Sequence, residues 1–285
     1  MKPIFVGASG LARLLVALVL MGAYSDPLNA QNARESSWPM HPIVAQLGIS
    51  ILLKAYPDEL SASRDNELVW KDGTVTPYQS NSGAAPSFDV FLDHADLADQ
   101  FSQAYPLEPW TPPPSVNSDP GRARCLAFFK KMYGGTQAEV ERHLVSIRWM
   151  PGLGSQTVRV TTVNGIDRKL MAVQEELTRL PIEMQKRYLV PSAGAFNWRP
   201  IAGTDRLSMH SFGAAIDLNV DVSNYWKWTK PDSAERYPYH NNFPPEIVAI
   251  FERHGFIWGG KWYHYDTMHF EYRPELILAA TTDGR

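Results

Sequence analysis

Cysteine is almost absent from this chain. One thiol, Cys125, stands among 285 residues, which excludes an internal disulfide and any zinc or iron–sulfur site built from several cysteines. A metal would have to be held mainly by His, Asp or Glu. A basic excess is lacking too. The 27 Lys and Arg stand against 30 Asp and Glu, for a net charge of −3. Nothing here would displace counterions from phosphate, so a nucleic-acid binder of the usual electrostatic kind is excluded. No internal repeat is visible, and no stretch beyond the N-terminus is long and apolar enough to cross a membrane. What is present is ordinary globular composition, 44% hydrophobic and 12% aromatic, enough for one large domain or two small ones and unlike a disordered tail.

The only long apolar run is Leu14-Leu15-Val16-Ala17-Leu18-Val19-Leu20-Met21, preceded by Lys2 and Arg13. A short positive region before a short apolar one has the form of a secretory signal peptide. The run is short for a membrane span of about 20 residues. Residues 1–30 are therefore expected to be removed after Leu28-Asn29-Ala30. The mature protein is expected in the periplasm or outside the cell, with no stable membrane span.

Residues 31–120 form an N-terminal region that is rich in proline towards its end (Pro106 through Pro120). Such a composition reads as an extended connection over a surface. Within it, His41–Tyr56 is apolar enough for one buried element. Phe91–Tyr105 has helical spacing, with Asp93–Asp99 as its solvated face. From Gly121 to residue 285 the signals sharpen into a second unit. Helices are expected over Arg122–Tyr133, stopped by Gly134-Gly135, over Arg168–Leu180, and over Pro244–His254 with Pro at its start and Gly255 at its end. Strands are expected over Val158–Val163, Ala214–Val220 and Met268–Tyr272. Helices and short strands mix without a βαβ rhythm. The expected class is α+β, a small antiparallel sheet flanked by helices.

Two segments carry the chemistry. In Ser208-Met209-His210-Ser211-Phe212-Gly213-Ala214-Ala215-Ile216-Asp217, alternation along the strand puts Ala214, Ile216, Leu218 and Val220 on a purely apolar face. Asp217 falls on the other face with Ala215 and Asn219. Asp is disfavoured in mid-strand unless something binds it. Gly213 lets the chain turn back, so that His210 and Asp217 can converge. In the second segment, Trp258 to Glu271, Asp266 lies three residues before His269. Two His and one carboxylate with an open position make a catalytic zinc set. A further carboxylate nearby is what metal-assisted hydrolysis needs to move the water's proton.

Ser208-x-His210-x-x-Gly213-x-Ala215-x-Asp217, followed by Trp258-Gly259-Gly260 and Asp266-x-x-His269, resembles the D-alanyl-D-alanine carboxypeptidase-like zinc peptidases. These include the vancomycin-resistance carboxypeptidases and the L-alanyl-D-glutamate endopeptidases of phage lysins. The Asp-x-x-His form is similar to the endopeptidase branch. The resemblance is dense over residues 192–274. It implies one zinc per chain, on the sheet and its adjoining loops, held by His210, Asp217 and His269. It also implies Asp266 as general base and acid, Arg199 as the cation that polarises the scissile carbonyl, and Ser208 as a substrate contact. The implied substrate is the stem peptide of peptidoglycan, cut at L-Ala-D-Glu. The alternatives are D-Ala-D-Ala carboxypeptidase action, or a zinc-bearing wall-binding module without turnover.

Other readings stay open residue by residue. Asp266 could cap a turn and Arg199 could pair with a surface carboxylate. Trp258 and Trp262 could be core or cleft wall, and Glu271 could support His269 or face solvent. Cys125 reads as a buried structural thiol. His264, five residues before His269, is a decoy outside the pattern, and His41, His94, His143, His240 and His254 lack metal-like spacing. The first test concerns export. N-terminal sequencing of the protein from its host should find a mature chain beginning near Gln31; a chain beginning at Met1 or Lys2 in the membrane fraction would mean an anchor instead.

Overall fold

The computed structural model describes residues 42–79, 87–108 and 110–282. The apolar run of residues 14–21 and the cleavage position at Ala30 lie outside the described residues. Among the described residues the chain begins with helix α1 (Pro42–Ala55) and a three-stranded antiparallel meander, β1 (Leu60–Arg64), β2 (Glu67–Trp70) and β3 (Val75–Pro77). After α2 (Phe88–Asp93) a long irregular stretch leads to α3 (Leu126–Tyr133) and α4 (Gln137–Glu141). The hairpin β4 (Leu144–Arg148) and β5 (Thr157–Thr161) follows, then α5 (Ile166–Leu177) and α6 (Ile182–Tyr188). The last part holds β6 (Ala215–Asp217), α7 (Pro245–Arg253), β7 (Phe256–Trp258), β8 (His269–Tyr272) and α8 (Pro274–Thr282). Helices and small antiparallel sheets thus make the α+β class expected from the sequence.

The sheet that matters for function has the strand order β6-β8-β7, all antiparallel. Its register sets Ala215 opposite Glu271, Ile216 opposite Phe270 and Asp217 opposite His269. Residues directly opposite share a face, so one face carries Asp217, His269 and Glu271. The other carries Ile216 and Phe270, both buried. Helix α7 covers that apolar face, with Phe251 stacked on Phe270 at 4.0 Å between ring centres.

Local chemistry moved several boundaries. The helix expected from Arg122 starts only at Leu126. Residues before it stay extended, because Arg124 reaches the buried Glu271 on β8 and the Gly121 carbonyl accepts from Arg273. The helix expected over Phe91–Tyr105 ends at Asp93. There the Asp96 carboxylate accepts from the backbone N–H groups of Ala98 and Asp99, a local bond that competes with helix continuation. Asp96 is buried and Asp93 pairs with Arg206, so this acidic stretch is no solvated helix face.

The N-terminal elements are wired into the rest of the molecule. Helix α1 packs along α8, and the buried Tyr56 hydroxyl donates to Glu275 at 2.5 Å. Tyr105 donates to Glu252 on α7 and accepts from the backbone N–H of Trp258 on β7. The proline-rich stretch ends in a strap rather than a loose surface connection. The Ser118 carbonyl accepts from Tyr263 N–H, the Pro120 carbonyl from the Trp262 indole, and the Gly121 carbonyl from Arg273.

Gly213 joins the His210 turn to β6 with a φ of +64°, and a Cβ there would meet the backbone nitrogen of Thr161 at 2.9 Å and Leu144 Cδ2 at 2.6 Å. Gly213→Ala combines a left-handed backbone with a backbone clash. It should cost roughly 2 kcal/mol or more of unfolding free energy, of which the backbone conformation alone accounts for about 1–2 kcal/mol. Denaturant titration checks this, and an unchanged midpoint would contradict it.

Candidate metal centre

His210 sits in a short 3-10 turn, Met209–Phe212, whose N-terminus is capped by the Ser208 hydroxyl accepting from His210 N–H. The His210 Nδ1 lies 2.5 Å from the Ala195 carbonyl. A carbonyl only accepts, so Nδ1 carries the proton and Nε2 presents a lone pair. His269 is held the other way round. Its Nε2 lies 2.9 Å from the Glu271 carboxylate, which directs Nδ1 inward. His210 Nε2 is 3.1 Å from Asp217 Oδ1 and 3.2 Å from His269 Nδ1, and His269 Nδ1 is 3.0 Å from Asp217 Oδ1. Two imidazole nitrogens and one carboxylate oxygen thus meet as a nearly equilateral triangle.

This donor set fits a zinc ion. Bond lengths of about 2.0–2.1 Å in a tetrahedral site separate the ligand atoms by about 3.3 Å, close to the distances present. The outward nitrogen of each histidine is already bonded, to a carbonyl in one case and a carboxylate in the other, as metal-ligating histidines require. Asp217 is charged. Burial pushes its carboxyl up, but the facing His210 and His269 outweigh that and hold it well below the usual range. For His269 burial acts downward, and the hydrogen bonds to Asp217 and Glu271 outweigh it, raising the imidazole to about 10. In the metal-free protein a proton on Nδ1 therefore occupies the place that a cation would take.

Asp266 lies in the turn before β8, its carbonyl accepting from His269 N–H and its N–H donating to Gly259. Its Oδ1 is buried with no hydrogen-bond partner. An orphaned carboxylate oxygen beside the triangle is a group positioned for something the protein itself does not supply. Burial, and then the charge of Asp217, push its carboxyl up to about 6.

The remaining expected residues are placed as follows. Arg199 is fixed through its backbone, its N–H donating to Ser211 Oγ and its carbonyl accepting from Ser208 N–H. Its side chain is exposed and makes no ion pair among the described residues. Ser208 is buried, with its hydroxyl engaged in the cap of the His210 turn. His264 stays apart from the triangle: its Nδ1 bonds Asp119 at 2.6 Å and its ring packs edge-on against Trp226. Trp258 and Trp262 are both buried, and Trp262 stands 5.6 Å from the His269 ring. Cys125 precedes α3 as its N-cap and packs, partly buried, against the core, and burial pushes its thiol up.

Of the two readings left open for Glu271, the structure takes the one in which it supports His269; what sequence reasoning missed is the pair of arginines that hold it. Glu271 is fully buried, and Arg124 grips it with two hydrogen bonds of 3.2 and 2.5 Å. Arg273 donates to the same carboxylate and to Glu275, which also accepts from Tyr56. Burial raises the Glu271 carboxyl, but Arg124, His269 and Arg273 outweigh it and keep Glu271 ionised. The i, i+2 spacing of Glu271 from His269 was a usable signal. For Arg124, far away in sequence, there was none.

Residues 202–272 match the family model described as D-alanyl-D-alanine carboxypeptidase. This segment is similar to that peptidase family. The resemblance read from the sequence therefore holds over the stretch that carries Ser208, His210, Asp217, Asp266, His269 and Glu271. Arg199, Arg122 and Arg124 lie outside the matched peptidase segment. No curated protein matches the chain.

In the metal-free protein, carboxyl carbon NMR should find Asp266 titrating near pH 6, about two units above an ordinary aspartate. Because Asp217 contributes negative charge, Asp217→Asn should move that midpoint down. A midpoint near 4 in the unmutated chain, or an upward move in the variant, would contradict the geometry.

Proposed function

We propose that the chain is an exported zinc peptidase that hydrolyses amide bonds in peptidoglycan stem peptides, of the L-Ala-D-Glu endopeptidase type. The observation that carries this reading is the convergence of His210 Nε2, Asp217 Oδ1 and His269 Nδ1 beside the unpartnered Oδ1 of Asp266. The family match supports a peptidase, and the Asp266-x-x-His269 spacing favours the endopeptidase branch. The description of the matched family favours the second reading, carboxypeptidase action at D-Ala-D-Ala. A binding module without turnover would have no use for an orphaned carboxylate or an unpaired Arg199, and both are present. Export rests on the N-terminal apolar run. Among the described residues no helix is long and apolar enough to cross a membrane.

Zinc, when bound, supplies a Lewis acid for the carbonyl and lowers the pKa of coordinated water to about 7. His210, Asp217 and His269 would hold it. The chain's own residues do the rest. Asp266 takes the proton of the attacking water on Oδ1 and delivers it to the nitrogen of the leaving amine. A cation beside the site lowers the Asp266 carboxyl from its metal-free position, so the acidic limb of activity should fall below pH 6. Above that limb Asp266 is ionised and able to accept. Arg199, tethered by its backbone and free at its guanidinium, stabilises the negative charge that develops on the carbonyl oxygen. Glu271 keeps the His269 lone pair aimed inward throughout.

Metal and proton roles separate by mutation. The unmutated protein should carry about one zinc per chain. Asp266→Asn should keep that zinc and lose stem-peptide cleavage by about 10²- to 10⁴-fold. Asp217→Asn, which replaces an anionic ligand by a neutral one, should weaken zinc binding itself. Metal analysis and initial rates on the same preparations check this; zinc lost from the Asp266 variant and kept in the Asp217 variant would exchange the two roles.

A further inference from the structure

One cation beside the triangle has no assigned task. Arg122 lies on the strap between Pro120 and α3, and its guanidinium stacks over the face of Trp262 at 5.8 Å. The same indole also neighbours His269, 5.6 Å away. Arg122 is half-buried, and among the described residues the one hydrogen bond of its guanidinium runs from Nη1 to the His264 carbonyl at 3.3 Å. It makes no ion pair among the described residues. Its neighbour Arg124 spends its charge on Glu271, and Arg206 spends its own on Asp93. A guanidinium has five N–H donors, so most of those of Arg122 are unused.

The position is fixed in advance. Ser118, Pro120 and Gly121 are each bonded through their carbonyls to Tyr263, Trp262 and Arg273, and the Arg122 N–H is bonded to Asp119. The His264 carbonyl and the Trp262 face then orient the guanidinium plane. Its charge reaches both Asp266 and the Tyr225 hydroxyl, and Tyr225 pairs with Asp266 through the backbone. Yet Arg122 does not close on Asp266, whose Oδ1 has no hydrogen-bond partner. A half-buried, pre-oriented and unpaired guanidinium is costly to keep unless an anion completes it. Planar two-pronged recognition suits a carboxylate.

We infer that Arg122 is a substrate-binding residue that pairs with a carboxylate of the peptide next to the scissile bond. The inference rests on the peptidase reading above and adds a specificity to it. In a stem peptide cut at L-Ala-D-Glu, the γ-linked D-Glu bears a free α-carboxylate beside the cleaved bond. In a carboxypeptidase substrate, the terminal carboxylate plays the same part. Both present one anion to one guanidinium.

The test uses the zinc-loaded full chain and the dipeptide γ-D-Glu-L-Lys, which lacks the alanine and so cannot be cut at the Ala–Glu bond. It is prepared in four forms, with the D-Glu α-carboxyl free or amidated and the C-terminal carboxyl free or amidated. Affinities are measured by calorimetry for the unmutated chain, Arg122→Gln and Arg122→Lys. The free acid at one of the two positions should bind about tenfold to a hundredfold more tightly than its amide, the range for hydrogen bonds to charged groups. That position should be the D-Glu α-carboxyl, carried by the residue whose nitrogen leaves, as the terminal carboxylate is in a D-Ala-D-Ala substrate; a preference confined to the lysine carboxyl would overturn the assignment. Arg122→Gln should erase that preference and leave the amide's affinity unchanged, and Arg122→Lys should keep part of it. Binding of all four forms alike by the unmutated chain, or of none, would overturn the assignment. So would Arg122→Gln weakening acid and amide equally, as a merely structural arginine would. Failure of the same zinc-loaded chain to cut an intact stem peptide would instead count against the peptidase reading, while the acid–amide comparison still decides Arg122.

Discussion

Everything in this molecule is arranged around the cost of holding two imidazoles and a carboxylate together, 3.0 to 3.2 Å apart and largely out of water. Groups so placed would separate or neutralise one another unless something else fixed them. The antiparallel register of β6 and β8 does the first part by setting Asp217 directly opposite His269. The reversal at Gly213 does the second by folding His210 back over the same face. The outward nitrogens are then tied off, one by the Ala195 carbonyl and one by Glu271. What remains points to a single place, already organised for a cation.

That arrangement reaches well beyond the matched segment. Glu271 would itself be an uncompensated buried charge without Arg124 and Arg273, and Arg273 in turn is shared with Glu275 and the Gly121 carbonyl. The chain of charges ends at Tyr56, where α1 is followed by the first strand. Residues far earlier than the motif thus take part in presenting the His269 lone pair. The strap of residues 118–124 does double duty, fastening the turn that holds Trp262 and His264 and bringing Arg122 and Arg124 to opposite tasks.

How much of this was legible in the sequence follows from the range over which each force acts. The class of fold, the Gly213 reversal, the apolar face of β6 and the pairing of two His with Asp217 depend on local spacing, and spacing is what a sequence displays. The β8 strand was visible for the same reason, and the stretch that forms α1 was legible as one buried element from its apolar content, without its type. The late start of α3 and the early end of α2 were not, because Arg124 is pulled straight by a partner 147 residues away and Asp96 diverts its own backbone. Glu271 could be placed on the face of His269, but its burial depends on arginines that no local pattern announces. Ser208, read as a substrate contact, also caps the His210 turn through its hydroxyl oxygen, a role that its spacing from His210 did not display.

The central claim, that this pre-formed site hydrolyses stem peptides with a metal in place, is tested most directly by digesting defined muropeptides and weighing the fragments. With zinc present, the account predicts paired fragments separated at L-Ala-D-Glu, together gaining one water, and no such fragments once the metal is chelated. Release of D-alanine alone would move the bond to the carboxypeptidase position. Intact muropeptides after prolonged incubation with the zinc-loaded chain would contradict the account.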